Sequence, residues 1–319
     1  LSIRRQRQMC IRDRSWNDGA TKQRIMTFVA AVTDRASEDY VPPAERVAVF
    51  DNDGTLWTEQ PDYGAMMFVL DRVHDLAPAH PEWTDKPVFQ AALDRDAKKV
   101  RSHGYAGLIE LVMATHAGTT PGQFEQIVLD WLARAKHPRF DQPYTACVYQ
   151  PMLELLAWLR ANGFKTWIVS GGNAGFIRAW AEKTYGIPPE QVIASRVKLA
   201  YELQDGRPVL LRLPENEFSN NGPRKAIAIH QFIGRRPILA VGNSDGDLHM
   251  LEWTTSGSGR RLGMYIHHDD AMREAAYDRE SPIGRLRRGL DEAPQRDWLV
   301  VSIKNDWERI FPFEPATRE

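Results

Sequence analysis

Residues 47–55, VAVFDNDGT, constrain the fold more than any other stretch of the chain. Val47, Ala48, Val49 and Phe50 form a short apolar run that stops at Asp51, Asn52, Asp53 and Gly54. A run of that length, bounded by turn residues, predicts a buried strand of a parallel sheet. The carboxylates of Asp51 and Asp53 then stand where the strand ends, and in open α/β sheets that edge is where ligands bind. One carboxylate there can attack while the pair holds a hard cation.

The remainder of the chain supports an α/β reading. Apolar spacing predicts a helix over residues 21–38, ahead of the first strand. Residues 59–145 then look almost wholly helical, with helices expected over 63–76, 87–102, 105–115 and 121–135, the last opened by Thr120 as cap and Pro121 at the first position. From residue 151 helices and strands alternate. Strands are expected at 164–169, 192–194, 237–241, 262–266 and 298–303, with a hairpin of 197–203 and 208–213 around Asp205-Gly206. Such alternation implies a doubly wound, Rossmann-like parallel sheet, with the helical segment inserted after its first strand. The expected division is a core of 15–58 and 146–319 and an inserted unit of 59–145.

Residues 1–14 are arginine-rich without apolar periodicity, and their MCIRDR piece looks like a translated sequencing adaptor. They are set aside from the fold as non-native or disordered. If they are foreign, the native start is missing, so a periplasmic location stays open beside the favoured cytoplasmic one. The 319 residues carry 41 Lys plus Arg against 42 Asp plus Glu, a net charge of -1, which argues against a nucleic-acid partner. No apolar run approaches a membrane span. Cys10 and Cys147 are too few for a disulfide framework.

Three expected strands end in polar clusters: Asp51-Asn52-Asp53, Ser170-Gly171-Gly172, and Asn243 to Asp247. A parallel sheet puts all three on one edge, with Lys225 opening a helix shortly before the third. Two carboxylates, a hydroxyl, an ammonium and an Asp-rich turn are what phosphoryl transfer to a side chain requires. His267, His268 and Asp269 follow a strand and are expected at the rim of that edge. Arg273, Tyr277, Asp278 and Arg279 suggest an ion network on a helix face, and Arg95, Lys98, Lys99 and Arg101 a solvated helix.

These segments resemble, in order, the four motifs of the haloacid dehalogenase superfamily, and the helical insertion is similar to the cap of its phosphoserine phosphatase-like branch. Asp53 marks the phosphatases, since the dehalogenases lack that aspartate. The resemblance implies a Mg²⁺-dependent phosphatase acting on a small phosphorylated metabolite through an aspartyl phosphate. A phosphotransferase using the same intermediate and a non-catalytic phosphate-binding protein are the alternatives. It implies Asp51 as nucleophile, Asp53 as acid and base, and Ser170 with the amides of Gly171 and Gly172 on the phosphoryl oxygens at a helix N-terminus. Lys225 would neutralise charge, and Thr55, Trp57, Glu59 and Gln60 would contact phosphate or substrate. Mg²⁺ would take Asp51, the Asp53 carbonyl, Asn243 and Asp247, with Asp245 as a substitute. Position 243 departs from the usual acid, which implies a weaker metal site. No motif identifies the substrate or the oligomeric state.

Overall fold

The computed structural model describes residues 15–315. The segment 1–14 set aside above, with Cys10, lies outside the described residues. A single sheet runs β4-β3-β2-β1-β5-β6-β7, with β8 paired to β6. The strands are β1 (Val47–Phe50), β2 (Lys165–Asn173), β3 (Val192–Gln204), β4 (Arg207–Phe218), β5 (Leu239–Gly242), β6 (Leu262–Asp269), β7 (Ala276–Tyr277) and β8 (Leu299–Ser302). The interior pairings are parallel, and only β4 and β7 run antiparallel to their neighbours.

The apolar run of β1 explains the layering. Successive side chains of a strand point to opposite faces. Ala48 and Phe50 join a cluster with Ile25, Phe28, Leu155 and Ile168, under α1 (Ala20–Thr33) and α7 (Gln150–Ala161). Val47 and Val49 join Ala228, Ile229 and Leu251, under α9 (Pro223–Ile233) and α10 (Leu248–Thr255). Both faces are covered, so alternation in the sequence is lost and an unbroken apolar run results.

Between β1 and β2 lie α2 (Gly64–Leu76), α3 (Pro87–Leu93), α4 (Ala97–Ser102), α5 (Gly104–His116) and α6 (Pro121–Arg134). This insertion has a small core of its own, including Val69, Leu70, Phe89 and Leu111. Phe124 and Trp131 of α6 instead pack into the main cluster, Trp131 against Phe176 of α8 (Ala174–Tyr185). No helix among the described residues is long and apolar enough to cross a membrane.

Several expected elements are corrected. The helix over 87–102 is broken: Arg95 takes φ 55°, and Asp96 caps α4 by accepting from Lys99 N at 2.8 Å. A local cap here outcompetes helix continuation. The short strand 192–194 and the first arm of the hairpin are one strand, β3, bulged at Arg196 and Val197. Its turn is as expected: Asp205 and Gly206 take φ 51° and 74°, the positive pair of a tight primed turn. Ser170 to Asn173 continue β2, and the cap of α8 is Asn173, whose Oδ1 accepts from Phe176 N at 3.2 Å. Ser170-Gly171-Gly172 therefore precede the helix N-terminus. Residues 273–279 contain β7, not a helix.

Candidate active site

Register brings the polar clusters together. Phe50 is level with Ile168 on one side and Val241 on the other, so the chain emerges from β1, β2 and β5 at one height. Asp51 N still donates to Val241 O at 2.9 Å, and the Asp51 side chain then turns into the space between the loops.

Lys225 is the centre of this space. It stands near the start of α9, is 2 % exposed, and places Nζ 2.7 Å from Asp51 Oδ1 and 2.6 Å from Asp247 Oδ1. The two carboxylates raise its affinity for the proton above the ordinary lysine value, against the opposing effect of burial, the largest single influence. Burial first, then Asp247, pushes the Asp51 carboxyl up to about 7, against the pull of the Lys225 ammonium.

Asp247 is wholly committed to the protein. Its Oδ2 accepts from Asn243 N, Ser244 N and Ser244 Oγ at 3.1, 3.1 and 3.2 Å, while Oδ1 takes Lys225. It holds the last loop and the ammonium in place. Asp245 points elsewhere: its Oδ1 accepts from Arg287 N and Gly289 N at 3.1 and 3.0 Å, at the start of α11 (Arg288–Glu292). Asp245 is not among the converging side chains.

The loop after β1 folds around Asn52, whose carbonyl accepts from Thr55 N, Leu56 N and Trp57 N at 3.1, 2.8 and 3.3 Å. Gly54 takes φ 72°, and a Cβ there would lie 2.0 Å from Asn243 Nδ2 and 2.5 Å from Glu59 Oε1. Glycine is required on both counts. Trp57 is buried and donates Nε1–H to Asp53 Oδ1 at 2.8 Å. Burial raises the Asp53 carboxyl above its ordinary range, against that hydrogen bond. Ser170 is fully buried, and its Oγ accepts from Gly172 N at 3.0 Å. A Cβ on Gly172 would lie 3.5 Å from Asp53 Oδ2, so this segment borders the acid. Gly171 is exposed, with its carbonyl accepting from Ser195 Oγ at 2.8 Å.

Glu59 lies against Asn243. Its Oε1 accepts from Asn243 Nδ2 at 2.6 Å and from Tyr277 OH at 2.9 Å. Burial, then Asp53, lifts it well above the carboxylate range. Thr55 donates to Asn243 Oδ1 at 3.2 Å. Gln60 Nε2 donates to Ile283 O at 3.3 Å. Arg95 and Arg101 pair with Asp71 and Asp62 within the insertion.

Sequence reasoning missed the support beneath this loop. His268 Nε2 donates to Gly54 O at 2.7 Å, and its Nδ1 faces Glu274 Oε2 at 3.0 Å. Glu274 also accepts from Thr58 Oγ1 and Tyr149 OH, both at 3.1 Å. Neither Glu274 nor Tyr277 carries a motif; only the placement of His268 near the edge pointed here. His267 and Asp269 serve elsewhere, His267 facing Asp278 and Asp269 accepting from Lys304 N.

The donor set fits a small, hard cation. Asp51 and Asp247 share a single ammonium, with the Asp53 and Glu59 carboxyls in the adjoining loop, so acidic side chains outnumber the one base. Asp51 Oδ2 and the Asp53 carbonyl accept no hydrogen bond from the described residues. Among the described residues no group of three or more His, Cys, Asp or Glu side chains is arranged to hold a metal. One carboxylate, one carbonyl and the Asn243 amide suit a cation that keeps several waters, as Mg²⁺ does.

A family model described as haloacid dehalogenase-like hydrolase matches residues 48–252. A search of curated proteins finds no match. Among solved structures, a protein of unknown function from Bordetella pertussis Tohama I is similar at 17% identity and TM-score 0.51, over 81% of this chain and 99% of that one. A conserved functionally unknown protein from Anaerococcus prevotii DSM 20548 is similar at 16% identity and TM-score 0.55, over 81% and 88%. At these identities the two structures speak to the fold alone.

Proposed function

The chain belongs to the haloacid dehalogenase-like hydrolases, and from that premise we propose that it is a phosphomonoesterase working through an aspartyl phosphate on Asp51. The observation that carries this reading is Lys225 Nζ held 2.7 Å from Asp51 and 2.6 Å from Asp247, with the second Asp51 oxygen left uncommitted. Phosphate transfer needs a carboxylate oxygen free to attack and positive charge fixed beside it.

Asp51 Oδ2 attacks phosphorus and the ester P–O bond breaks. Asp53, raised by burial, donates its proton to the departing alkoxide. It then removes a proton from the water that hydrolyses the acyl phosphate, which restores Asp51. Ser170 and the Gly171 amide border the phosphoryl oxygens, and Asp247 keeps Lys225 aimed at Asp51. A bound Mg²⁺, held by Asp51, the Asp53 carbonyl and Asn243, would offset phosphoryl charge. We read residues 59–145 as the cap that covers the substrate, as in the phosphoserine phosphatase-like branch, and the substrate as a small phosphorylated metabolite.

The test is phosphate release from an aryl phosphate with and without chelator. Turnover that stops in chelator and returns with Mg²⁺ supports the reading; full activity in chelator removes the metal from it. Glycerol as acceptor tests transfer against hydrolysis: a glycerol phosphate product would make the protein a phosphotransferase.

A further inference from the structure

We propose that the crevice where the β3–β4 hairpin, the first turn of α8 and the start of α6 meet is a second anion site, built for a small free oxyanion of the phosphate or sulfate class. It has a volume of about 400 Å³ and shares no lining residue with the Asp51 centre.

Arg212 on β4 carries the argument. It is 6 % exposed, and its Nε donates to His116 O at 2.7 Å. Its guanidinium lies 3.9 Å from the Phe124 ring centroid. No carboxylate pairs with it among the described residues, and Nη2 is buried without a partner. Burial alone draws its pKa down, to about 10. A buried charge without a counter-ion is unfavourable, and charged side chains in interiors are ordinarily paired.

The surroundings supply an anion cradle. A Cβ on Gly175 would lie 2.9 Å from Arg212 Nη1, so a glycine there lets the guanidinium rest against the first turn of α8. The Asn173 cap engages Phe176 N, and Ala174 and Gly175 of the first turn line the crevice beside Arg212. Arg178 and Arg196 line the same crevice. Glu217 is taken up by Arg196, at 3.3 Å, and Glu125 and Glu182 stand exposed around it. Four cationic side chains, Arg178, Lys183, Arg196 and Arg212, line the crevice against three carboxylates, and a compact anion can accept from the guanidinium of Arg212.

The site also joins parts of the fold. Gly118 N donates to Arg212 O and Arg212 N to Thr119 O, both at 2.9 Å, so the loop before α6 is stapled to β4. An anion on Arg212 would brace the side chain that already holds His116 and Phe124 of the insertion.

Calorimetric titration of the full chain with inorganic phosphate, and separately sulfate, tests this. Arg212→Met and Gly175→Ala should each bind one ion fewer than wild type, or bind it at least tenfold more weakly, with circular dichroism unchanged. Any ion held at the Asp51 centre persists in both variants, so loss of the catalytic reading would not mimic this result. If Arg212→Met fails to fold, Gly175→Ala decides. Equal stoichiometry and affinity in folded variants and wild type, or no difference because wild type binds no ion outside the Asp51 centre, overturns the proposal.

Discussion

Two buried polar regions lie on either side of α8, and they balance charge in opposite ways. At the sheet edge two carboxylates share one ammonium, with two further acids in the adjoining loop, so acids outnumber the single base. Beside the hairpin one guanidinium has no carboxylate, and the excess is positive. Each departs from the pairing that buried charges normally adopt. The first departure suits a cation and a phosphoryl group; the second suits an anion. Uncompensated charge of either sign, more than any cavity, marks the places where this protein is incomplete without a ligand.

The comparison breaks most sharply at Asp51. Asp51→Asn removes the attacking oxygen and should lower phosphate release from an aryl phosphate by at least about a thousandfold, roughly 4 kcal/mol of barrier. The unfolding midpoint should change little, because Lys225 keeps Asp247. Equal rates for variant and wild type would sink the nucleophile assignment. Lys225→Met attacks the same cluster from its cationic side. It leaves Asp51 and Asp247 buried together without a counter-charge, and should cost about 3 kcal/mol in urea denaturation. Arg212→Met, by contrast, removes a charge that had no partner and should cost much less. Similar losses for the two would mean that the two regions do not differ as argued.

The sheet edge was largely legible in the sequence, and the reason is geometric. Asp51, Asn243 and Asp247 follow apolar strands, Ser170 lies in the last part of one, and parallel register delivers these strand ends to one place. Lys225 was found through its position between two such ends. What stayed hidden are partnerships between distant segments. Glu59 meets Asn243 and Tyr277 only because β7 folds back antiparallel on β6, and the short Ala276–Tyr277 strand leaves no periodic trace. Glu274 reaches Thr58, Tyr149 and His268 through tertiary packing alone. The break at Asp94–Asp96 was missed because helical spacing continues through it, and Asp96 as a cap outweighs that spacing. Arg212 reads as one more charge in a hairpin arm until the 118–119 loop covers it.

The surroundings of Arg212 can be probed through pH. His116, whose carbonyl holds Arg212 Nε, has its ring pKa pushed down to about 3, by burial first and then by Arg212 and Arg72. The folded ring stays neutral to about pH 3, whereas the unfolded chain takes up the proton near 6.5. Its contribution is therefore complete above pH 6.5 and is lost as pH falls toward 3. Between pH 6.5 and 5 the loss is about 2 kcal/mol. The raised carboxyls of Asp51, Asp53 and Glu59 act in the opposite sense, so the informative quantity is the difference from His116→Gln. Chemical denaturation across that range should show a shallower fall in the variant; parallel curves would place the neutral ring in doubt.

The smallest effect sharpens the same region. Thr120 and Gln123 form a reciprocal cap at the start of α6: Gln123 N donates to Thr120 Oγ1 at 3.3 Å and Thr120 N to Gln123 Oε1 at 2.8 Å. Thr120→Ala should cost about 1 kcal/mol in unfolding free energy. Because Thr119 is stapled to β4 at Arg212, fraying α6 at this end loosens one wall of the proposed anion crevice while the Asp51 centre is untouched. Phosphate should then restore more of the lost stability in Thr120→Ala than in the double variant with Arg212→Met. A loss near 1 kcal/mol that phosphate restores equally in both would assign the restoration to the catalytic edge instead.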